Sequence, residues 1–312
     1  MNKAYLAFDT SNYTTSAAVY VGGEIRQSKK LLPVKKGQAG LRQSDAVFHH
    51  TAQLHTVFES LDLSDCKIEA VGASVTPRSE EGSYMPCFTV GSSAAHIAAK
   101  LLGVPLYSFS HQQGHIAAAV YSSGRAELLS RDFIAFHISG GTTEAVLVTP
   151  DSERIISTRI IAQTLDLNAG QAVDRVGLML GLDFPCGAEL EKLALKNTEK
   201  LSVHPSLKGC NCCLSGIENI CKKLLNDGKN PEYIAAYCLE YIRKTLMMMT
   251  DRLLEKYGRL PLVFAGGVMS NTIIKNSLTE KYNAVFAEPC YSTDNAAGIA
   301  YLAYRKFKNV HT

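Results

Sequence analysis

LAFDTSNYTTSAAV at residues 6–19 and IAFHISGGTTEAVL at residues 134–147 are two copies of one pattern. In each copy an apolar strand leads into a turn of small, hydroxyl-bearing residues and returns as a second apolar strand. Such a turn offers backbone N–H groups and hydroxyls to a phosphate. The spacing exceeds the ~20–50 residues of a solenoid repeat. We therefore interpret the copies as two versions of one domain; the alternative is a chance likeness between two ordinary β-hairpins.

Paired phosphate hairpins that face a shared cleft are typical of the actin, hexokinase and Hsp70 nucleotide fold, the ASKHA or ribonuclease H-like fold. Strands also alternate with helices along the chain, which favours an α/β class. The predicted fold is thus a duplicated α/β fold with a central interdomain cleft. The polar segment 122–131 precedes the second hairpin. We expect an N-terminal domain over residues 1–125 and a C-terminal domain with helical insertions over residues 126–312.

Composition restricts the class of protein only weakly. The chain has 312 residues, 46% of them hydrophobic and 20% charged, as in ordinary globular proteins. A net charge of +3 permits a nucleic-acid partner without indicating one. No apolar run reaches the ~18–20 residues that span a bilayer, and the N-terminus leads directly into a strand. We expect a cytoplasmic protein without a membrane segment, whose nine cysteines are reduced thiols.

Apolar periodicity predicts helices over residues 46–61, 91–102 and 231–257, and a last helix over 293–307. The apolar runs 69–75 and 262–265 predict strands. Ser110 is placed to cap a helix that begins at His111.

The sequence HQQGH at residues 111–115 is a candidate metal site. Residues four apart share one helix face, so both imidazoles point the same way. The motif lacks the glutamate that zinc proteases use as a base, which disfavours peptide hydrolysis. Asp294 is a candidate third ligand, and two histidines with one carboxylate suit iron(II) or zinc. The alternative is a surface or core histidine pair without a metal.

Two glycine pairs are candidates for nucleotide binding. Gly140-Gly141 lies in the second hairpin, and Gly266-Gly267 follows an apolar strand. Tight turns also need glycine, so each pair alone is weak evidence. Asn271 is either a ligand contact or a helix cap, and Asp174 is either a ribose contact or a solvated acid. The cysteines at 210, 212 and 213 are too closely spaced for an ordinary zinc site.

The chain resembles the TsaD/Kae-type (Gcp) family of tRNA threonylcarbamoyladenosine transferases over nearly its whole length. The resemblance is carried by these motifs: His111–His115, Ser139–Gly141, Ala169–Asp174, Gly181–Gly187, Leu214–Gly216, Ala265–Val268 with Asn271, and Thr293–Asn295. It implies that His111, His115 and Asp294 bind one divalent metal. It also implies that ATP or threonylcarbamoyl-adenylate, with magnesium as a further candidate ion, binds at His137, Ile138, Ser139, Gly140 and Gly141. Ribose and adenine contacts would fall to Asp174, Gly187 and Asn271.

Several polar positions depart from the family pattern. Where the family has an acidic pair in the first hairpin, this chain has Tyr13 and Thr14. Where the family has a histidine after Ser-Gly-Gly, this chain has Thr142. The helical Gly-Glu is Gly170-Gln171, and the lysine after the aspartate is Arg175. The chain therefore looks like a divergent paralogue, and no general base is assigned.

The resemblance implies transfer of a threonylcarbamoyl group from its adenylate to the adenosine beside the tRNA anticodon. The expected partners are tRNA, a paralogous ASKHA subunit and a small ATPase of the same pathway. The alternatives are carbamoyl transfer to another acceptor and a non-catalytic, nucleotide-binding scaffold. A phosphotransferase is a weaker alternative.

Overall fold

A computed structural model describes residues 1–11, 13–33, 41–80, 82–292 and 295–311. Two five-stranded sheets form its framework. The strands are β1 (Asn2–Asp9), β2 (Thr14–Val21), β3 (Glu24–Leu31), β4 (Cys66–Thr76), β5 (Leu106–Ser110), β6 (Phe133–Ile138), β7 (Thr143–Asp151), β8 (Ile155–Gln163), β9 (Leu207–Lys208), β10 (Asn211–Cys212), β11 (Leu262–Ala265) and β12 (Val285–Phe286). β9 and β10 form a separate two-stranded ribbon.

The two large sheets have the same topology. The first has the order β3-β2-β1-β4-β5, and the second, β8-β7-β6-β11-β12, repeats it strand for strand. In each, the hairpin strands are antiparallel, β1 with β2 and β6 with β7. The next two pairings are parallel in both sheets, β1 with β4 and β4 with β5, and β6 with β11 and β11 with β12. The duplication predicted from the two hairpins is thus confirmed.

Nine helices flank the strands in the described ranges. They are α1 (Gln43–Glu59), α2 (Phe88–Leu102), α3 (His111–Ser122), α4 (Ala169–Met179), α5 (Gly187–Ala194), α6 (Gly216–Asn226), α7 (Pro231–Tyr257), α8 (Thr272–Tyr282) and α9 (Ala297–His311). The predicted helix over 231–257 is confirmed as α7, which Pro231 opens at its first turn. No helix in the described part of the chain is long and apolar enough to cross a bilayer.

The chain forms two compact units that a single boundary does not separate. The first comprises residues 1–131, 149–158 and 293–312, and the second comprises 132–148 and 159–292. The sequence-based boundary between residues 125 and 126 lies near the first of these divisions. The sequence-based division placed the last helix in the C-terminal domain, whereas the structure groups it with the first unit. α9 instead belongs to the first unit, because it packs against α3, β1 and β4.

Each unit has its own apolar core. In the first unit, Leu6 and Phe8 of β1 pack with Val57 of α1 and Ala95 of α2. In the second unit, aromatic rings stack across neighbouring parallel strands, with Phe136 and Phe264 centroids 4.6 Å apart. These cores hold the carboxyl ends of the strands in place, where both candidate sites lie.

Glycines allow α3 and α9 to approach closely inside the first unit. A Cβ atom on Gly298 would overlap the backbone carbonyl oxygen of Gly114 on α3. A Cβ atom on Gly114 would come closest to the end of the Ile299 side chain, at 2.9 Å, and would stay 3.9 Å from the Ile299 backbone nitrogen. A backbone carbonyl in a helix cannot yield as a flexible side-chain end can.

We expect Gly298→Ala to destabilise the protein by about 3 kcal/mol or more, because it overpacks a backbone contact. Gly114→Ala is the matched control and should change stability by less than about 1 kcal/mol, since helix propensity offsets the side-chain contact. Urea unfolding of both variants measures the difference. Equal midpoints would contradict this account of the packing.

Candidate metal and nucleotide sites

The start of α3 positions the histidine pair. Ser110 caps the helix: its Oγ accepts the backbone N–H of Gln113, and Gln113 Oε1 accepts the backbone N–H of Ser110 at 2.8 Å. The predicted cap is therefore confirmed. Gln113 also donates to the carbonyl oxygen of Ile156 at 2.6 Å. This capping box fixes His111 as the first helical residue, at the carboxyl end of β5.

The two imidazoles face each other through their Nε2 atoms. The Nε2 atoms of His111 and His115 are 2.9 Å apart, and the ring planes meet at 74°. His111 is 7% exposed and His115 4% exposed, so both rings are shielded from water. The predicted shared helix face is thus confirmed. The rings stand as either hydrogen-bonded partners or two ligands of one ion.

Asp9, at the end of β1, is the polar partner that sequence analysis missed. Its Oδ2 lies 2.8 Å from His111 Nδ1, and its Oδ1 accepts the backbone N–H of Ser11 at 2.8 Å. Ser11 Oγ lies 2.9 Å from the same Nδ1. Burial raises the Asp9 pKa, but the charge and hydrogen bond of His111 and the bonds from Ser11 outweigh it, leaving the pKa below its usual value. The sequence did contain a signal for this partner, because Asp9 is an acidic residue at the end of a predicted strand, just before the small residues Thr10 and Ser11.

The donor set of this site fits a metal with imidazole ligands. Two nitrogens that each lie about 2.0–2.1 Å from one ion are about 2.9–3.4 Å apart at ligand angles of about 90–109°, and the two Nε2 atoms lie 2.9 Å apart, at the lower end of this range. A carboxylate on the far nitrogen of a ligand histidine is the usual supporting partner. Asp294, the predicted third ligand, lies outside the described residues. Among the described residues, no group of three or more His, Cys, Asp or Glu side chains has metal-site geometry.

The second unit brings the two glycine pairs together. β6 and β11 are parallel neighbours, with His137 opposite Ala265, so the turns after them lie at one edge of the sheet. Gly266 has a φ of +100°, and a Cβ there would overlap the carbonyl oxygen of Ile138. Only glycine satisfies both demands. In open α/β sheets, ligands bind at the carboxyl ends of the strands.

The turn at residues 139–142, the glycine hairpin, packs against α4 on one side and has free space at its glycines. Ser139 Oγ accepts the backbone N–H groups of Gly141 at 3.3 Å and Thr142 at 3.1 Å. A Cβ on Gly170, in the first turn of α4, would lie 2.6 Å from the backbone nitrogen of Gly140. A Cβ on Gly140, Gly141 or Gly267 would meet no atom within 4 Å. The hairpin thus rests on α4 and leaves free space on its other side.

The remaining predicted nucleotide residues have mixed placements. Asp174 is half-buried; desolvation raises its pKa, and its carboxylate accepts the backbone N–H of Cys186 at 2.9 Å. Gly187 follows at the start of α5, with only Val173 near its Cβ position. Asn271 caps α8 by accepting the Ile274 N–H at 3.1 Å, so its capping role is confirmed. Ile138 lies wholly in the core, which leaves only its backbone for a ligand.

Asp166 is a second residue that sequence analysis missed. Its carboxylate accepts the backbone N–H groups of Leu167 at 2.6 Å and Leu214 at 2.7 Å, and the Ser215 hydroxyl at 2.6 Å. These bonds join the segment before α4 to the turn before α6. Asp166 therefore supports α4, on which the glycine hairpin rests.

Tyr13 and Thr14 differ in their surroundings. Tyr13 is 42% exposed, whereas Thr14 is 5% exposed and pairs with Leu31 across β2 and β3. The cysteine cluster is also uneven, with Cys212 buried between partly buried Cys210 and Cys213. Burial raises the pKa of the Cys212 thiol to about 11. A thiol with such a pKa is protonated at neutral pH and is a poor nucleophile.

The repeated sheet order defines the ASKHA class of fold, and solved structures agree. Full-length HypF in its phosphate- and nucleotide-bound form aligns with a TM-score of 0.60 at 14% identity, over 99% of this chain and 46% of that one. Component A of the Acidaminococcus fermentans (R)-2-hydroxyglutaryl-CoA dehydratase aligns with a TM-score of 0.54 at 15% identity, over 98% and 99% of the two chains. At these identities the likeness shows the fold alone.

Within this class, residues 35–301 match the family described as TsaD, tRNA N6-adenosine threonylcarbamoyltransferase. A Thermosipho africanus protein of that name is 30% identical over 97% of this chain and 94% of its own. A Thermoplasma acidophilum protein named as a probable bifunctional tRNA threonylcarbamoyladenosine biosynthesis protein is 28% identical over 86% of this chain. This chain spans only half of that relative's length. The chain belongs to the TsaD family, as its motifs predicted.

Proposed function

We propose that this protein transfers a threonylcarbamoyl group from threonylcarbamoyl-adenylate to the adenosine beside the anticodon of a tRNA. The observation that carries the proposal is the buried histidine pair, whose Nε2 atoms lie 2.9 Å apart with Asp9 behind His111. A scaffold subunit without turnover would have no use for so specific a donor set. Family membership supplies the substrate class, since the Thermosipho relative is named for this transfer.

His111 and His115, with Asp294 as the proposed third ligand, would hold one iron or zinc ion. Bound there, the metal would polarise the carbonyl of the transferred group as a Lewis acid. To bind a metal through Nε2, each imidazole must be neutral and must carry its hydrogen on Nδ1. Asp9 supports this by accepting a hydrogen bond from the N–H group at Nδ1 of His111.

Ser139–Gly141, Gly266-Gly267 and Asn271 would bind ATP or the adenylate. The open side of the hairpin lets backbone N–H groups approach a phosphate closely, which a Cβ atom would hinder. Holding the phosphate in this way orients it for departure. Asp174 and Gly187 are proposed to contact the ribose and adenine.

The proposed partners are tRNA, a paralogous ASKHA subunit and a small ATPase. The name of the bifunctional Thermoplasma relative supports a tRNA-modification pathway. The two charge signs are nearly balanced over the chain, at 32 basic and 29 acidic residues. A companion subunit that contributes to tRNA binding is consistent with this weak net charge.

The test is reconstitution. The protein is incubated with tRNA, threonine, bicarbonate, ATP and the companion adenylate-forming enzyme, and the tRNA nucleosides are analysed by mass spectrometry. We expect adenosine to gain the mass of a threonylcarbamoyl group only when the protein is present. Unmodified tRNA from a preparation that binds both metal and nucleotide would overturn this choice of acceptor.

Carbamoyl transfer to another acceptor is the second candidate function. It is favoured by Tyr13 and Thr14, which are neutral where the family resemblance places two acids. A phenol and a hydroxyl cannot hold a cation or take a proton at pH 7 as a carboxylate can. The same reconstitution with small amines in place of tRNA distinguishes the two acceptors.

We expect Tyr13→Asp to raise the rate of transfer to tRNA, because it restores one of the two acids that the family resemblance places there. Tyr13 is 42% exposed, so water can solvate the new carboxylate. Thr14→Glu is a poor companion, since Thr14 is buried in β2 and an unpaired carboxylate there costs several kcal/mol. Initial rates under matched conditions provide the comparison. A Tyr13→Asp variant no faster than the wild type would remove the argument for a changed acceptor.

A further inference from the structure

Asp9 stands directly behind the histidine pair, at the carboxyl end of β1. It is 1% exposed, and both carboxylate oxygens have partners. Oδ1 accepts the backbone N–H of Ser11 at 2.8 Å, and Oδ2 lies 2.8 Å from His111 Nδ1. The bond to Ser11 holds the carboxylate in the turn while its second oxygen lies against the imidazole.

A carboxylate accepts hydrogen bonds and donates none. The nitrogen that faces it, Nδ1 of His111, must therefore carry the hydrogen. In a neutral imidazole the other nitrogen then carries a lone pair and no hydrogen. That nitrogen is Nε2, which points at Nε2 of His115 at 2.9 Å.

We propose that Asp9 is the positioning residue of the histidine pair, holding His111 in the tautomer whose Nε2 can bind a metal. This inference rests on the proposed metal site and assigns a role to a residue outside its ligand set. Asp9 contacts His111 at Nδ1 and not at Nε2, the nitrogen that is proposed to bind the metal. It acts through His111, by orientation and by selection of the tautomer.

Ser11 has a lesser part in the same arrangement. Its Oγ lies 2.9 Å from Nδ1 and 3.4 Å from Nε2 of His111. A hydroxyl can donate or accept, so it is compatible with either tautomer and selects neither. Of these two partners, the carboxylate of Asp9 is the one that discriminates between the tautomers.

The test is the metal affinity of Asp9→Asn, measured by calorimetric titration with zinc in the absence of nucleotide and tRNA. The amide can donate to Nδ1, which favours the tautomer with hydrogen on Nε2 and blocks that ligand. Loss of such a supporting partner typically lowers metal affinity about 10–100-fold. We expect a loss in that range, and a smaller one for Ser11→Ala.

Asp62→Asn is the matched control, because the same local turn recurs there. Asp62 Oδ1 accepts the backbone N–H of Ser64 at 3.1 Å, as Asp9 does for Ser11, but Asp62 is exposed to solvent. We expect its zinc affinity to equal that of the wild type. Thermal unfolding of each variant shows whether the fold is retained.

A measurement on the unaltered protein complements the variants. Long-range ¹⁵N–¹H spectra of the metal-free wild type report which nitrogen of His111 carries hydrogen, with His111→Ala giving the assignment. At a pH where the ring is neutral we expect hydrogen on Nδ1, and a neutral ring with hydrogen on Nε2 instead would overturn the proposal even if Asp9→Asn fails to fold. Equal zinc affinities of wild type and Asp9→Asn would overturn it and leave the metal site standing. A wild type that binds no zinc would overturn the metal site itself.

Discussion

His115→Ala should lose zinc affinity by at least about a hundredfold, since one of the two proposed nitrogen ligands disappears. Transfer to tRNA should fall with it, because the proposed reaction depends on the metal that the pair of Nε2 atoms, 2.9 Å apart, would hold. Equilibrium dialysis with zinc measures the first effect, and the reconstituted transfer reaction measures the second.

His50→Ala is the control for that experiment. His50 is wholly buried in the same unit and hydrogen-bonds Thr15 Oγ1 at 2.7 Å. Its removal should cost about 1–3 kcal/mol of stability, as for other buried hydrogen-bonded groups. Zinc affinity should remain. If both variants bind zinc as the wild type does, the histidine pair is a structural contact and the metal-dependent reaction falls.

Local patterns in the sequence predicted the framework well. Alternating apolar strands with small-residue turns identified β1, β2, β6 and β7, and the duplication followed from their likeness. Helical periodicity located α7, because a long amphipathic stretch has few alternative structures. The sequence did not predict β3, because its polar stretch EIRQSKKL lacks the apolar alternation of a core strand. β3 lies at the edge of its sheet, and none of its side chains is fully buried.

Local sequence patterns could not predict which distant segments of the chain come into contact. Asp9 and His111 are 102 positions apart, so the partner of the histidine pair became visible only in the fold. α9 joined the first unit through Gly298 and Gly114, a fit between backbones that composition does not reveal. Thr14 looked equivalent to Tyr13 in the sequence, yet Thr14 is buried in β2 whereas Tyr13 is exposed in the turn before it.

The glycines of the second unit show the same division. The sequence predicted Gly140 as a nucleotide-binding residue and gave Gly170 only as part of a family motif, whereas the structure shows that the two glycines lie against each other. Gly170 is needed because the Gly140 backbone lies against it, with 2.6 Å between its Cβ position and the Gly140 nitrogen. Gly140 itself has free space at its Cβ position. Gly170 is required by the fold, whereas Gly140 leaves space for the proposed ligand.

Gly140→Val should therefore fold normally and lose nucleotide affinity by about a hundredfold, equivalent to about 2.7 kcal/mol. The valine side chain would occupy the space above the hairpin where a phosphate approaches its N–H groups. Gly170→Ala should lose both stability and affinity, because the hairpin must shift to admit the Cβ. Calorimetry with a non-hydrolysable ATP analogue and urea unfolding separate the two patterns. A folded Gly140→Val that binds the analogue as tightly as the wild type would place the nucleotide elsewhere in the protein.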